Sequence, residues 1–175
     1  KTTRSQAFLE QAGAVRVRTD VERKRLAGLA ATAHSGAALD AGLYAADATR
    51  ATYERVAALA RTIVGSGRVA ILDGTFLQRW QRDLTRALAD ELQVPFAILS
   101  FEAKRATLER RIVARSLTGG DASEADLRVL TRQLATHEPL AADELPDVVR
   151  CDAEAPLVDA FQPQAWDTVR NRLGL

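Results

Sequence analysis

The stretch RVAILDGTFLQRWQRDLTRALADEL, residues 68–92, changes period in its middle. Val69 to Leu72 form an unbroken apolar run, the pattern of a strand buried on both faces, and the run stops at Asp73. Gly74-Thr75-Phe76 reads as a tight turn. Residues 77–92 then repeat their apolar positions at helical spacing. A buried strand that ends on a carboxylate and feeds a helix is a unit of a parallel α/β sheet. The unit recurs on both sides. Upstream, Ala14-Val15-Arg16-Val17-Arg18 alternates as a short strand, and Thr19 or Asp20 is expected to cap a helix over VERKRLAGL (21–29). Downstream, VPFAILSF (94–101) is another buried strand, with Pro95 suited only to its start, and a helix follows over about 103–116. PDVVRCD (146–152) is a last short strand, and QPQAWDTVRNRLGL (162–175) closes as a helix.

The remaining segments fill in helices. Residues 1–12 have helical spacing and end at Gly13, a natural C-cap. Tyr53, Val56, Ala57, Ala60, Ile63 and Val64 share one face of a helix that Gly65-Ser66-Gly67 stops. LTGGDAS (117–123) reads as a loop, and Ser123 with Asp126 starts a further helix through about 135 as a capping box. The Ala- and Gly-rich segment 28–46 is a connection of undefined form. Strand–helix alternation with apolar strands predicts an α/β fold, a parallel sheet with helices on both faces, in a single domain over 1–175.

Composition narrows the function classes. The chain has 175 residues, 47% hydrophobic and 27% charged, with a formal net charge of +1, so no global field draws it to nucleic acid or a membrane. All but three of its 24 basic residues are arginine, the exceptions being Lys1, Lys24 and Lys104. Arginine forks suit phosphate and carboxylate, although a biased codon supply would give the same excess. One cysteine, Cys151, excludes an internal disulfide and suits a reducing cytosol, so a cytoplasmic location is expected. No apolar run approaches the ~18 residues of a membrane span. His34 and His137 lack partners at metal-ligand spacing. Cys151, Trp80 and Trp166 read as packing residues. No nucleophile elbow, dinucleotide-binding glycine motif or basic–aromatic platform is present.

In parallel sheets, ligands bind at the carboxyl ends of strands. Those ends carry Thr19-Asp20, Asp73-Gly74-Thr75, Phe101-Glu102 and Cys151-Asp152. The chain also opens on Lys1-Thr2, which matches the last two letters of the phosphate-binding loop G-x-x-x-x-G-K-[ST]; the glycines are not in this chain, and Lys-Thr is a common pair. If the motif is real, Lys1 reaches the β- and γ-phosphates, and the helix behind it, entered through Thr3, offers N–H groups and its dipole. Thr2 then binds Mg²⁺ with Asp73 as the second, acidic partner. Asp20, on the same edge, is the candidate base, and Arg23 one turn on is a contact for an anionic part of the acceptor. Arg111 and Arg115, at i and i+4, precede the Gly119-Gly120 loop as a lid would. Each feature also has a plain reading: Asp73 as a turn cap, Asp20 as a helix cap beside a solvated Arg23, and Arg111 and Arg115 as part of a basic face with Arg105 and Arg110.

The order of these features resembles a known family. GAVRVRTDVERKRL, GLYAADATRATYERV, RVAILDGTF, LERRIVARS, GDASEADLRVL and HEPL resemble the small AAA-type P-loop kinase-like domains found behind aminoglycoside-phosphotransferase-like domains in bacteria. The likeness runs from Lys1 to about Asp152 and extends more distantly to the kinase half of polynucleotide kinase, gluconate kinases and zeta-type toxins. It implies a three-layer P-loop NTPase/nucleoside-kinase-like fold with strand order 2-3-1-4-5, lid helices around 103–135, and a central P-loop strand outside this chain, which would make the chain a truncated piece of a longer polypeptide with a fused upstream domain. It implies ATP and Mg²⁺ as cofactors and an unidentified phosphoryl acceptor, with no membrane partner and nucleic acid only as an end to be phosphorylated. Lys1, Thr2, Thr3 and Arg115 would hold the nucleotide, Thr2 and Asp73 the metal, and Asp20, Arg23 and Thr75 the acceptor. Lys1, Asp20, Arg111 and Arg115 would serve catalysis. The expected function is phosphoryl transfer to a hydroxyl of a small molecule or nucleic-acid end. The alternatives are a nucleotide-sensing or interaction module of a larger phosphotransferase-like protein, and a degenerate domain that binds nothing.

Overall fold

The computed structural model describes residues 1–31, 33, 46–118 and 127–175, with side chains of 115–118 excluded. The expected Ser123–Asp126 capping box, the Gly-Gly loop, His34 and residues 32 and 34–45 of the 28–46 connection lie outside the described residues. The elements are α1 (Gln6–Gln11), β1 (Val15–Arg18), α2 (Thr19–Leu26), α3 (Ala46–Gly65), β2 (Ala70–Asp73), α4 (Arg79–Leu92), β3 (Ile98–Glu102), α5 (Arg105–Thr118), α6 (Leu127–Thr136), β4 (Val148–Asp152) and α7 (Asp167–Leu173). Short 3-10 turns cover Leu145–Asp147, Leu157–Phe161 and Pro163–Trp166.

Both strand pairs are parallel. β1 pairs with β2, Arg18 facing Asp73 in register, and β3 pairs with β4, Glu102 facing Asp152. The two pairs are separate sheets. Among the described residues no strand joins them, so the expected order 2-3-1-4-5 is seen only as these two pairs. One apolar cluster nevertheless spans both. Phe8, Ala160, Trp166 and Val169 are buried together, and Ile71 of β2, Leu99 and Phe101 of β3, and Val149 and Cys151 of β4 pack on them. The Phe8 and Trp166 rings lie 5.5 Å apart. α1 and α7 therefore cover one face of both pairs.

Strand alternation assigns the other face. Arg16 sits opposite Ile71, and Val17 opposite Leu72. Ile71 faces α1, so Val17 and Leu72 point the other way, toward α3, which packs on both strands and on α2 and α4. The alternation in Val-Arg-Val-Arg thus divides two covered faces. Arg16 donates to Ser5 Oγ and Gln6 Oε1, both at 3.1 Å, beneath the start of α1.

Two local expectations change. α1 begins at Gln6, and residues 2–5 form turns closed by Ser5 N–H donating to Lys1 O at 2.9 Å. Neither Thr19 nor Asp20 caps α2. Extended Arg18 occupies the N-cap position and Thr19 is already helical, because its hydroxyl is turned toward the Asp73 carbonyl 3.4 Å away across the sheet edge.

Candidate functional site

β2 delivers Asp73 to the carboxyl edge of the sheet with its side chain 4% exposed. Two groups from the opposite end of the sequence meet it. Lys1 Nζ donates to Asp73 Oδ1 at 2.8 Å, and the Thr2 hydroxyl donates to Oδ2. Burial pushes the Asp73 carboxyl up, but the Lys1 charge, the Lys1 and Thr2 hydrogen bonds and the Arg18 charge outweigh it, so its pKa lies below the ordinary 3.8. Asp73 is therefore a carboxylate at neutral pH. One hydroxyl and one carboxylate oxygen, side by side, fit Mg²⁺, which usually takes one or two carboxylates and completes its octahedron with waters and phosphate oxygens. Among the described residues, no group of three or more His, Cys, Asp or Glu could hold a metal without such help.

A second group forms around Tyr53, which sequence reading treated only as a packing position. Tyr53 is buried, and its hydroxyl accepts from Phe76 N–H at 3.3 Å. Its phenol is raised above the ordinary 10.0, first by burial and further by the Asp20 charge, and opposed by bonds to Thr75 and Phe76 and by the Arg23 charge. Thr75 thus hydrogen-bonds with this hydroxyl, and the charges of Asp20 and Arg23 act on it. Arg23 is buried; Thr75 is exposed. Phe76 and Trp80 set their rings edge-on to Tyr53, at 5.1 and 5.5 Å. The Arg50 guanidinium lies 4.8 Å over Trp80. Phe76 has φ +45°, an uncommon conformation for a bulky residue. It is held from both sides, by Tyr53 at its N–H and by Arg82, whose Nη1 donates to its carbonyl at 3.0 Å. Such over-determined strain clusters at binding and catalytic turns.

The two groups join at Gly74. A Cβ there would lie 2.6 Å from Thr19 Cγ2, so only glycine lets the β2 end and the α2 start approach this closely.

The lid candidates divide. Arg111 of α5 donates to the Ala153 carbonyl at 2.7 Å, just past the end of β4. The side chain of Arg115 lies outside the described residues, and Thr3 is exposed in the turn ahead of α1 without joining either group. His137 is exposed, and Cys151 packs against the core with its thiol raised above the ordinary 9.0 by burial. Trp166 is buried and donates to Ala160 O at 2.8 Å. These placements match the reading of His137 as a surface residue and of Cys151 and Trp166 as packing residues.

Sequence reading also missed Arg82 and Glu144. Arg82 Nε and Nη2 donate to the two Glu144 carboxylate oxygens at 2.6 and 3.1 Å, with side chains 5% and 2% exposed. A signal for Arg82 existed: it falls on the buried stripe of α4 with Thr85 and Leu88–Ala89, where an unpaired cation is not tolerated.

Residues 1–140 match the AAA domain family. The chain belongs to that family. This AAA domain is 32% identical over 123 residues to uncharacterized proteins of Mycobacterium bovis and Mycobacterium tuberculosis, covering 70% of this chain and 25% of each relative. The chain thus spans about a quarter of the length of the curated relatives it matches. Among solved structures it is similar to a sugar kinase of Janibacter sp. HTCC2649, with TM-score 0.69 and 20% identity over 99% of this chain and 87% of that one. A gluconokinase of Sinorhizobium meliloti 1021 superposes with TM-score 0.65 and 16% identity over 98% and 86%. The AAA domain therefore has the α/β fold of the small P-loop kinases. Among its described residues, no helix is long and apolar enough to cross a membrane.

Proposed function

We propose that this AAA domain forms part of an ATP- and Mg²⁺-dependent phosphotransferase that moves a γ-phosphoryl group to a hydroxyl of a small molecule or nucleic-acid end. The observation that carries the reading is the convergence of Lys1 Nζ and Thr2 Oγ1 on the two oxygens of Asp73, about seventy residues away in sequence. A lysine and a hydroxyl that meet a strand-end carboxylate are the parts a phosphate loop and its metal partner require. Thr2 and Asp73 would hold Mg²⁺, which supplies charge neutralisation for the phosphates. Lys1 would bind the β- and γ-oxygens, with Thr3 at the entry to α1. Asp20 would accept the proton of the acceptor hydroxyl, Arg23 would bind an anionic part of the acceptor and Thr75 would orient it; Thr75 hydrogen-bonds with the Tyr53 hydroxyl, and the charges of Asp20 and Arg23 act on it. Arg111 and Arg115 would close on the transferred group from the lid, about 103–135.

Calorimetry on the full-length protein tests this. Mg-ATP should bind, and Lys1→Ala should weaken it at least tenfold; no binding by the wild type refutes the proposal. Asp20→Asn separates transfer from sensing: a phosphotransferase keeps its ATP affinity and loses turnover, whereas a nucleotide-responsive module is indifferent to the change.

A further inference from the structure

Arg4 has no part in the reading above, yet it is a buried arginine beside the proposed phosphate site. Its guanidinium reaches past the end of β4. Nη2 donates to the carbonyls of Ala153, at 3.1 Å, and Ala155, and Nη1 to Pro156 O at 3.4 Å. The same Ala153 oxygen accepts from Arg111 Nη2 at 2.7 Å. A carbonyl oxygen has two lone pairs, and here each is taken by a different guanidinium. The turn is pinned on its other sides too. Ala153 N–H donates to Glu102 O at 2.9 Å, and the Glu154 carboxylate accepts from Lys104 N–H at 3.0 Å and Thr107 Oγ1 at 3.2 Å, at the start of α5. The strand-end turn is therefore where the segment after Thr2, the lid helix and β3 meet.

We propose that Arg4 is a positioning residue for Arg111: by gripping the carbonyls of 153, 155 and 156 it fixes the Ala153 oxygen that holds Arg111. The inference rests on the nucleotide-binding reading of Lys1, Thr2 and Asp73. The planar, multi-donor fork of arginine is required, because an ammonium is a point donor that cannot bridge several carbonyls in one plane. Arg4 acts through Arg111 and does not itself touch the nucleotide.

The test is a double-mutant cycle on Mg-ATP affinity in the full-length protein, using Arg4→Gln, Arg111→Gln and the double variant. Each single variant should weaken binding about tenfold, and the double variant no more than Arg111→Gln alone. Arg4→Lys should resemble Arg4→Gln despite its charge, and it provides a second cycle if Arg4→Gln does not fold. If the Arg4 effect persists undiminished in the Arg111→Gln background, or Arg4→Gln binds as the wild type does, the inference is overturned. A purely structural strap would give the persistent effect. A wild type that does not bind Mg-ATP overturns the nucleotide reading itself, and this inference with it.

Discussion

Glu144→Gln is the sharpest test of what holds the 74–76 turn to the rest of the molecule. The Glu144 carboxylate accepts from Arg82 Nε at 2.6 Å, from Arg82 Nη2 at 3.1 Å and from Ala141 N–H at 2.9 Å. The substitution keeps shape but puts an amide NH₂ against at least one N–H donor in either orientation and leaves the Arg82 charge buried without its counter-ion. Removing one partner of a buried pair costs about 3–5 kcal/mol. With a urea slope of about 2 kcal/mol/M, the unfolding midpoint should fall by roughly 1.5 M or more. Arg82→Met/Glu144→Leu should recover only part of the loss, because it strands the Phe76 and Pro139 carbonyls that Arg82 also binds. Asp143→Asn, which breaks an exposed ion pair with Arg79, should leave the midpoint nearly unchanged. The pH dependence has a definite sign. Hydrogen bonds from Arg82 hold the Glu144 carboxyl below its ordinary 4.5, so its contribution is complete above that pH and is lost as pH falls through the lower folded value. Between neutrality and acid the wild type should lose more stability than Glu144→Gln. A midpoint shift below about 0.5 M, or parallel acid limbs for the two proteins, would refute the reasoning.

Two further substitutions probe the junction of the two groups. Gly74→Ala drives a Cβ to 2.6 Å from Thr19 Cγ2 and should destabilise by about 1–3 kcal/mol in thermal melts. Thr19→Ser, which removes that methyl, should recover most of the loss; an equal loss in both backgrounds would show that Thr19 is not the obstacle. Tyr53→Phe deletes the hydroxyl that accepts from Phe76 N–H, so hydrogen exchange at that amide should accelerate, and unchanged protection would mean that Arg82 and ring packing alone hold the turn.

The residues that could be read from sequence share a physical cause. Asp73 stood out because a buried parallel strand is apolar on both faces, so its end is marked by the first residue that needs water or a partner. Asp20 and Arg23 followed from the same rule applied to β1. The cap at Thr19 was misread because capping assumes a free side chain, and this hydroxyl is turned to a strand 54 positions away. Tyr53 is legible as buried but not as the partner of the Phe76 N–H, since helical period reports which face is covered and nothing about where a hydroxyl at its tip ends up. Arg4 left the least trace. Its partners are the carbonyls of Ala153, Ala155 and Pro156, and a backbone acceptor has no side-chain signature. What decides the arrangement at this edge is a set of long charged side chains that find backbone oxygens across the fold. The arginine excess, read as phosphate affinity or codon bias, therefore has a third cause here: buried guanidiniums such as Arg4 and Arg82 supply donors to strand-end and turn carbonyls.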